Sequence, residues 1–237
     1  MLAKEEVTKI LSAQKLKNAN FIYFLENNFF VNAHKIGNSI FARAQSDHIW
    51  LYFSIDKEED FPKLLDFLKQ EDKYFATLEE WMLPYLEKKG DVDWQLKTFQ
   101  HYLPDDVNLP IPCAEFRDLQ ISDAEYIYNN SDYKNFLSID YIQERIEKGI
   151  SSGMIINDNL AAWAITQDDG AIGFLHVLDE HRRNGYAYQI MLDMIHKVRI
   201  AGKIPLTYVE ENNLKSVSLM EKIGFLEDKQ MIWLKLK

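Results

Sequence analysis

The residues best suited to chemistry lie in one turn, between an apolar run that ends at Leu178 and an amphipathic segment that begins at Tyr186. The start of a helix presents unpaired backbone N–H groups and a partial positive charge, and phosphate groups bind there. Gly185 lets a phosphate approach the backbone because it has no Cβ, and Arg182 and Arg183 add positive charge. The spacing therefore predicts an anion site that favours phosphate.

Two common phosphate-binding motifs do not fit this turn. It lacks the Gly-Lys-Ser/Thr ending of a P-loop. A dinucleotide site needs G-x-G-x-x-G inside a parallel βαβ unit, whereas short polar turns join the strand-like runs before this turn and predict an antiparallel meander. Taken alone, Arg-x-x-Gly-x-Ala is also typical of an ordinary strand-to-helix turn with surface arginines, and that interpretation stays open.

The second half of the chain predicts a meander followed by helices that alternate with single strands. The predicted strands are 154–156, 160–166, 171–178, 206–209 and 231–236. The predicted helices begin at Ser122 and Ser138 and continue with 186–201 and 213–223, and Gly149, Gly202 and Gly224 end the last three. The apolar side chains of 186–201 recur at helical spacing and predict one buried face.

Three prolines at 104, 110 and 112 predict an extended connector, because proline disfavours helix at its own and the preceding position. We therefore expect a smaller α/β domain over 1–103, a linker over 104–112 and a second domain over 113–237. The first domain predicts a helix at 16–27 and strands at 38–44 and 48–54. It also predicts an N-cap at Asp60, a capping box at 77–80 and a helix kinked at Pro84. It contains no constellation of catalytic type.

Composition narrows the classes of partner. The net charge is −10, from 27 basic and 37 acidic residues, which disfavours nucleic acid and anionic membranes as partners. The single cysteine, Cys113, excludes an internal disulfide and a cysteine-built metal site, and no metal is expected. The low cysteine content favours the cytoplasm. Nothing in the sequence predicts the oligomeric state.

The turn at 182–187 resembles motif A of the GNAT superfamily, the acyl-CoA-dependent N-acetyltransferases, whose pattern is Q/R-x-x-G-x-G/A between a strand and a helix. The strand at 173–177, the helix start at 213–216 and its end at 222–225 follow in the family's order. The resemblance covers 113–237 and implies an α+β GNAT fold, with a mixed, mostly antiparallel sheet flanked by helices. The layout is similar to glycine N-acyltransferase-like proteins, whose Trp-bearing hairpin the segment 162–170 resembles. Residues 1–103 resemble a degenerate GNAT half.

The resemblance implies acetyl-CoA or CoA as cosubstrate. The pantetheine arm would pair with the main chain of 175–177, the pyrophosphate would lie on the N–H groups of 183–188, and the Leu175 N–H would polarise the thioester carbonyl. The implied cofactor-binding residues are Leu175, His176, Val177, Arg182, Arg183, Asn184, Gly185, Tyr186, Ala187, Tyr188 and Asn213. Asn213 also fits a helix N-cap.

The usual acid and base positions of the family depart from its pattern, because they fall on Ala171, Gly173, Tyr208 and Met220. The resemblance leaves Leu175, His176 and Tyr208 as the implied catalytic residues. His176 is the remaining titratable group of its strand, and a structural histidine is the competing interpretation. Tyr208 is either a lining aromatic or a replacement acid, while Glu210 and Glu211 either bind a cationic acceptor or are simply solvated.

The implied function is transfer of an acetyl or similar short acyl group from CoA to the amine of a small molecule or amino acid. A catalytically weak CoA-binding regulatory module is the first alternative, since Ala171 and Met220 cannot move a proton. Acetylation of a protein N-terminus or lysine is the second. An additional N-terminal domain favours small acceptors over a protein tail.

Overall fold

The computed structural model describes residues 2–131, 134 and 137–237. The chain forms two compact units: unit 1 contains the residues up to Gln100 together with Asp228–Lys237, and unit 2 contains His101–Glu227. This division differs from the expected domains at the C-terminal end. Strand β11 (Leu226–Leu236) pairs antiparallel with β4 (Tyr74–Leu78), so the last ten residues belong to unit 1.

Unit 1 contains a mixed sheet with short helices. Its other strands are β1 (Phe29–Ile36), β2 (Ser39–Gln45), β3 (Ile49–Ser54) and β5 (Val92–Tyr102), and the strand order is β1-β2-β3-β4-β11-β5. Its helices are α1 (Lys4–Ser12), α2 (Ala19–Asn27), α3 (Phe61–Leu64) and α4 (Leu83–Glu87). β1, β2 and β3 are antiparallel, and β4 runs parallel to β3. Phe41, Phe53, Phe61 and Phe75 lie in its core.

Two local expectations for unit 1 are wrong, and a third, the N-cap at Asp60, is confirmed. Pro84 lies in the first turn of α4, where its missing N–H has no intrahelical partner anyway, so it starts that helix instead of kinking it. Thr77 belongs to β4 and not to a capping box, because its hydroxyl bonds the Phe53 backbone of the neighbouring strand. Asp60 does occupy the N-cap position of α3, but its carboxylate accepts a hydrogen bond from the Ser39 hydroxyl at 2.9 Å.

Unit 2 is α+β, as predicted, with a mixed, mostly antiparallel sheet flanked by helices. Its strands are β6 (Phe116–Arg117), β7 (Ser151–Ile156), β8 (Asn159–Thr166), β9 (Ile172–Val177) and β10 (Leu206–Val209), in the order β10-β9-β8-β7-β6. Its helices are α5 (Ala124–Asn129), α6 (Ile139–Lys148), α7 (Tyr186–Ile200) and α8 (Leu214–Ile223). The predicted meander is present, and β10 runs parallel to β9.

Two apolar cores cover the two faces of this sheet. One, called the α7 core below, contains Ile190, Met194 and Ile195 of α7 with Met220 and Ile223 of α8. The other, called the α6 core, contains Ile142 and Ile146 of α6 with Ile127 of α5 and Trp163 of β8. A side chain on β9 therefore contacts one core or the other according to the face on which it lies.

The proline-containing segment 104–112 has no regular secondary structure, as expected, but it is fixed to unit 2. Val107 and Leu109 pack against the α7 core. The Arg199 guanidinium donates hydrogen bonds to the carbonyls of Pro104 and Val107 at 2.7 and 2.9 Å. These contacts make the segment part of the compact unit rather than a free linker.

Candidate active site

Strands β9 and β10 of unit 2 meet at one end and leave an open edge at the other. In the described part of the chain their register holds a single pair, Thr207 with Ile172, reinforced by a 2.9 Å hydrogen bond from the Thr207 hydroxyl to the Ile172 carbonyl. β9 stays paired with β8 as far as Val177. The second half of β9 therefore offers its β10-facing edge to an extended, amide-containing ligand.

A β-bulge interrupts β9 beside this opening. Phe174 and Leu175 together oppose Ala164, and Phe174 has a φ of 53°, in the left-handed region that a bulky residue rarely adopts. Beyond the bulge, Leu175 and Val177 pack against the α7 core, whereas Phe174 packs against the α6 core. Bulges of this kind re-aim side chains and backbone groups, and strained residues concentrate at functional sites.

His176 lies on the α6 side of the sheet. Its ring stacks on the buried Trp163 ring, with centroids 4.8 Å apart. This contact supports the structural interpretation of His176 over a catalytic one, because a stacked ring is fixed by packing.

The turn after β9 is held by its own side chains. The Arg182 guanidinium donates to the Val177 carbonyl at 3.0 Å and pairs with the Asp179 carboxylate at 2.7 Å. The Asn184 amide donates to the carbonyls of His181 and Arg182. Arg182 and Asn184 therefore shape the turn. Arg182 and Arg183 are both exposed.

Gly185 is the N-cap of α7 and has a φ of 78°. A Cβ added at this position would meet nothing within 4 Å, so the turn faces open space. The first amides of a helix have no intrahelical acceptor, and the positive end of the 15-residue α7 begins at this turn. This geometry fits a pyrophosphate. Because its φ is positive, Gly185 is required for its backbone conformation whether or not a phosphate binds.

Of the remaining residues expected at the cofactor, Tyr186 and Tyr188 contact the α7 core and Asn213 caps α8. Tyr186 and Tyr188 pack against the α7 core, and the Lys222 ammonium lies 5.0 Å from the centre of the Tyr188 ring. The side-chain oxygen Oδ1 of Asn213 accepts from the Ser216 N–H at 3.2 Å, which makes Asn213 the N-cap of α8. Contact of these residues and of Ala187 with CoA stays a prediction.

The usual acid and base positions are apolar or blocked. Ala171 and Met220 are buried, and a Cβ at Gly173 would lie 2.7 Å from the Gln167 side chain. Tyr208 is different. Its hydroxyl donates a 2.6 Å hydrogen bond to Oδ2 of Asp169, a carboxyl that is only 1% exposed.

Sequence reasoning missed Asp169. Two adjacent acidic residues followed by glycine indicate a solvated turn. No local signal in the sequence distinguishes Asp169 from Asp168. In the structure, Oδ1 of Asp169 accepts from the Ala171 N–H at 3.2 Å, which turns the side chain inward. Burial raises the pKa of Asp169 to about 7, and the negative charge of Asp168 also raises it, against the opposing effect of the Tyr208 hydrogen bond.

A second buried charge, Arg145 of α6, lies on the α6 side of the sheet. Its side chain is fully buried, and its guanidinium lies 5.7 Å from the centre of the Tyr141 ring. The centres of the Tyr141 and Phe174 rings are 6.1 Å apart. A Glu144 oxygen lies 3.3 Å from Nη2, yet none of the three guanidinium nitrogens has a hydrogen-bond partner among the described residues. Glu144 therefore balances the Arg145 charge, and the guanidinium N–H groups remain able to donate hydrogen bonds to a further anionic group.

Other features of the described chain lie outside this site. A pocket of about 530 Å³ in unit 1 is lined by residues that include Lys17, Glu79 and Lys229, and burial lowers the pKa of Lys229. Within the described ranges, no three histidine, cysteine or acidic side chains are grouped so that they could hold a metal ion. Nor does any described helix have the length and apolarity needed to cross a membrane.

Comparisons with known proteins identify the fold. Residues 149–234 match the family model described as FR47-like protein. No curated protein matches the chain. A Drosophila protein of known X-ray structure is similar over 100% of this chain and 97% of its own, with 17% identity and a TM-score of 0.78.

Two bacterial structures extend the likeness to acetyltransferases. A GCN5-related N-acetyltransferase-like protein from Streptococcus suis shares 12% identity over 99% of this chain and 100% of its own, with a TM-score of 0.57. A GCN5-related N-acetyltransferase from Kribbella flavida shares 11% identity over 94% of both chains, with a TM-score of 0.58. With the open β9 edge and the glycine turn that precedes α7, these matches show that the chain has the GNAT fold.

Proposed function

We propose that this chain is an acyl-CoA-dependent N-acyltransferase, which moves an acetyl or similar short acyl group from CoA to the amine of a small molecule or amino acid. The observation that carries the proposal is the continuity between two features: the unpaired edge of β9 runs directly into the Gly185 turn at the start of α7. An extended arm with amides fits the edge, and a pyrophosphate fits the turn, which together describe CoA.

The proposed roles rest mainly on the backbone. The main-chain groups of Leu175 and Val177 bind the pantetheine amides, and the N–H groups from Arg183 to Tyr188 hold the pyrophosphate. The Leu175 N–H, next to the bulge, donates to the thioester carbonyl and stabilises the oxyanion that forms when the amine attacks. A thiolate with a pKa near about 8.5 leaves without an obligatory acid. The buried Met220 therefore does not prevent turnover.

Arg145 supports a narrower acceptor class, an amine that also carries a carboxylate. Among the described residues, the fully buried Arg145 guanidinium has the Glu144 carboxylate at 3.3 Å but no hydrogen-bond partner, and a carboxylate with two oxygens would satisfy its N–H groups in a bidentate manner. Amino acids have both groups. The closeness of Tyr141 to both Arg145 and the bulge residue Phe174 puts this charge on the α6 side of β9.

The experiment that tests the function is a turnover assay with acetyl-CoA across three classes of acceptor: amino acids, amines without a carboxylate, and peptides. The proposal expects turnover with small acceptors and a preference of at least about tenfold in kcat/KM for amino acids over amines of the same length. Arg145→Met, which has similar length without charge, should remove that preference. Turnover with peptides alone would support a protein acetyltransferase, and CoA binding without turnover would support a regulatory module.

A further inference from the structure

We infer that Tyr208 and Asp169 form the proton-accepting pair of the acyl transfer, with Tyr208 contacting the acceptor amine and Asp169 acting through the Tyr208 hydroxyl. The inference rests on the proposed function, whose site it deepens. It starts from a single contact, the 2.6 Å hydrogen bond between the Tyr208 hydroxyl and Oδ2 of Asp169.

The position of Tyr208 on β10 brings it to the start of the opening. Tyr208 follows Thr207, whose pairing with Ile172 is where β9 and β10 meet. The next residue, Val209, packs against the α7 core, so Tyr208 projects from the opposite face of the strand, the face on which Phe174 and His176 lie on β9. Tyr208 is half-buried, whereas Asp169 behind it is buried.

The turn at 167–170 does not require a carboxylate at Asp169. A turn of this kind needs one side-chain oxygen, and Oδ1 supplies it by accepting from the Ala171 N–H. Asparagine would serve equally well for that bond. The second oxygen carries a charge that burial makes unfavourable, and in the structure this oxygen accepts from Tyr208. A buried carboxylate behind a half-buried hydroxyl is an arrangement that moves a proton inward from the opening.

The proton balance of the reaction needs such a group. The acceptor enters mainly as an ammonium, since amines of this type have a pKa near about 10. One ammonium proton passes to the Tyr208 oxygen while the Tyr208 proton passes to Asp169, and the neutral amine then attacks the thioester carbon. The C–N bond forms, the C–S bond breaks, and the second amine proton goes to the departing thiolate. Asp169 returns its proton to solvent, so each turnover releases one proton.

The groups that act on the Asp169 charge within the described chain are Asp168 from the same turn and Tyr208 from β10. Burial raises the pKa of Asp169 to about 7, in the range where a carboxyl can act as a base at neutral pH. We therefore expect kcat/KM to rise with pH through about 7 as Asp169 loses its proton.

Asp169→Asn tests the inference directly, because the amide keeps an oxygen for the Ala171 N–H and removes only the basic group. The expected result is a fall in kcat of about 10²–10⁴, the range for a lost acid or base, with CoA affinity within about twofold of wild type. The rise of kcat/KM near pH 7 should disappear. Tyr208→Phe should lower kcat similarly.

Asp168→Asn is the matched control, since it changes the adjacent carboxyl. Removing the Asp168 charge lowers the pKa of Asp169, so this variant should keep its activity and show the rise in kcat/KM at lower pH than wild type. If Asp169 had a merely structural role, Asp168→Asn would not shift the pH at which kcat/KM rises. If Asp169→Asn binds CoA normally and keeps both wild-type kcat and the wild-type pH profile, the inference is wrong. If wild type binds CoA but acylates no amine, the proposed function fails, and this inference fails with it.

Discussion

Units 1 and 2 share an order of elements but differ where a cosubstrate would enter. In each unit an antiparallel meander leads to a strand, then to a helix, and then to a second strand that runs parallel to the first: β3, α3 and β4 in unit 1, and β9, α7 and β10 in unit 2. The expected resemblance of the first domain to a degenerate GNAT half stays a prediction.

The parallel strands are closed in unit 1. β3 and β4 are joined by three register pairs that cover 50–52 and 74–76. Past these pairs, the Thr77 hydroxyl accepts from the Phe53 N–H at 3.1 Å and also lies 3.2 Å from the Phe53 carbonyl, to which it donates. The edge that β9 leaves open in unit 2 is therefore occupied by the protein itself in unit 1.

The turns after β3 and β9 differ in charge and in conformation. The turn that precedes α3 is acidic at 58–60, and Pro62 lies in the first turn of a four-residue helix. The turn that precedes α7 carries two arginines beside Asp179 and Glu180, ends at Gly185 in the left-handed region and opens a 15-residue helix. If CoA binds as proposed, the comparison teaches that the order of elements is insufficient for an anion site, which also requires an open strand edge and a glycine turn.

The largest expected effect comes from giving the turn of unit 2 the acidic character of unit 1. Gly185→Asp should weaken CoA binding about a hundredfold, or about 2.7 kcal/mol, because a carboxylate would face the pyrophosphate. Gly185→Asn is its control, since asparagine also tolerates a positive φ and has nearly the same shape without the charge. Calorimetric titration with CoA measures both. Equal affinities of the two variants would show that no phosphate lies at this turn.

The buried Asp169 predicts a dependence of stability on pH. Its pKa is raised above the unfolded value of about 4, so folding favours the protonated carboxyl. The stability of the native state therefore falls as pH rises from about 4 to about 7, and this group adds no further change above that range. Urea unfolding of wild type and Asp169→Asn at pH 5 and pH 8 should show the variant gaining relative to wild type at pH 8. A constant difference between the two proteins would contradict the shift.

The closed edge of unit 1 predicts a change in stability without a change in binding. Thr77→Val keeps the branched shape at a φ of 61° but removes the acceptor of the buried Phe53 N–H. We expect a loss of about 1–3 kcal/mol in the free energy of unfolding and an unchanged CoA affinity. Thr77→Ser retains the hydroxyl and should retain most of the stability. Weaker CoA binding in Thr77→Val would mean that the unit 1 edge takes part in the site.

The smallest expected effect separates backbone strain from ligand contact. Gly185 and Gly202 have φ values of 78° and 70°, and a Cβ at either position would meet nothing within 4 Å. Alanine at either position should therefore cost a similar amount of stability, about 1–2 kcal/mol. Gly185→Ala alone should also weaken CoA binding about tenfold, or about 1.4 kcal/mol. Matching CoA affinities in the two variants would leave Gly185 with a conformational role only.

Local signals in the sequence predicted most of unit 2. Ser138 caps α6, Gly185 and Gly224 adopt positive φ at the ends of helices, and the polar turns set the meander. These features depend on neighbouring residues, so pattern and composition reveal them.

Features that depend on distant residues could not be predicted. The burial of Asp169 requires Tyr208, which lies 39 positions further along the chain. The bulge at Phe174 requires the register of β8 against β9, and the assignment of residues 228–237 to unit 1 requires the pairing of β11 with β4. By contrast, Arg182, which looked like a phosphate ligand, is bound by near neighbours in the chain, the Val177 carbonyl and the Asp179 carboxylate.

Titration of wild type with CoA in a calorimeter tests the central claim, that unit 2 is open to CoA and unit 1 is closed. We predict binding of one CoA per chain, with an affinity that Gly185→Asp weakens about a hundredfold and Thr77→Val leaves unchanged. Absence of binding at millimolar CoA, or binding of two CoA molecules per chain, would contradict the claim.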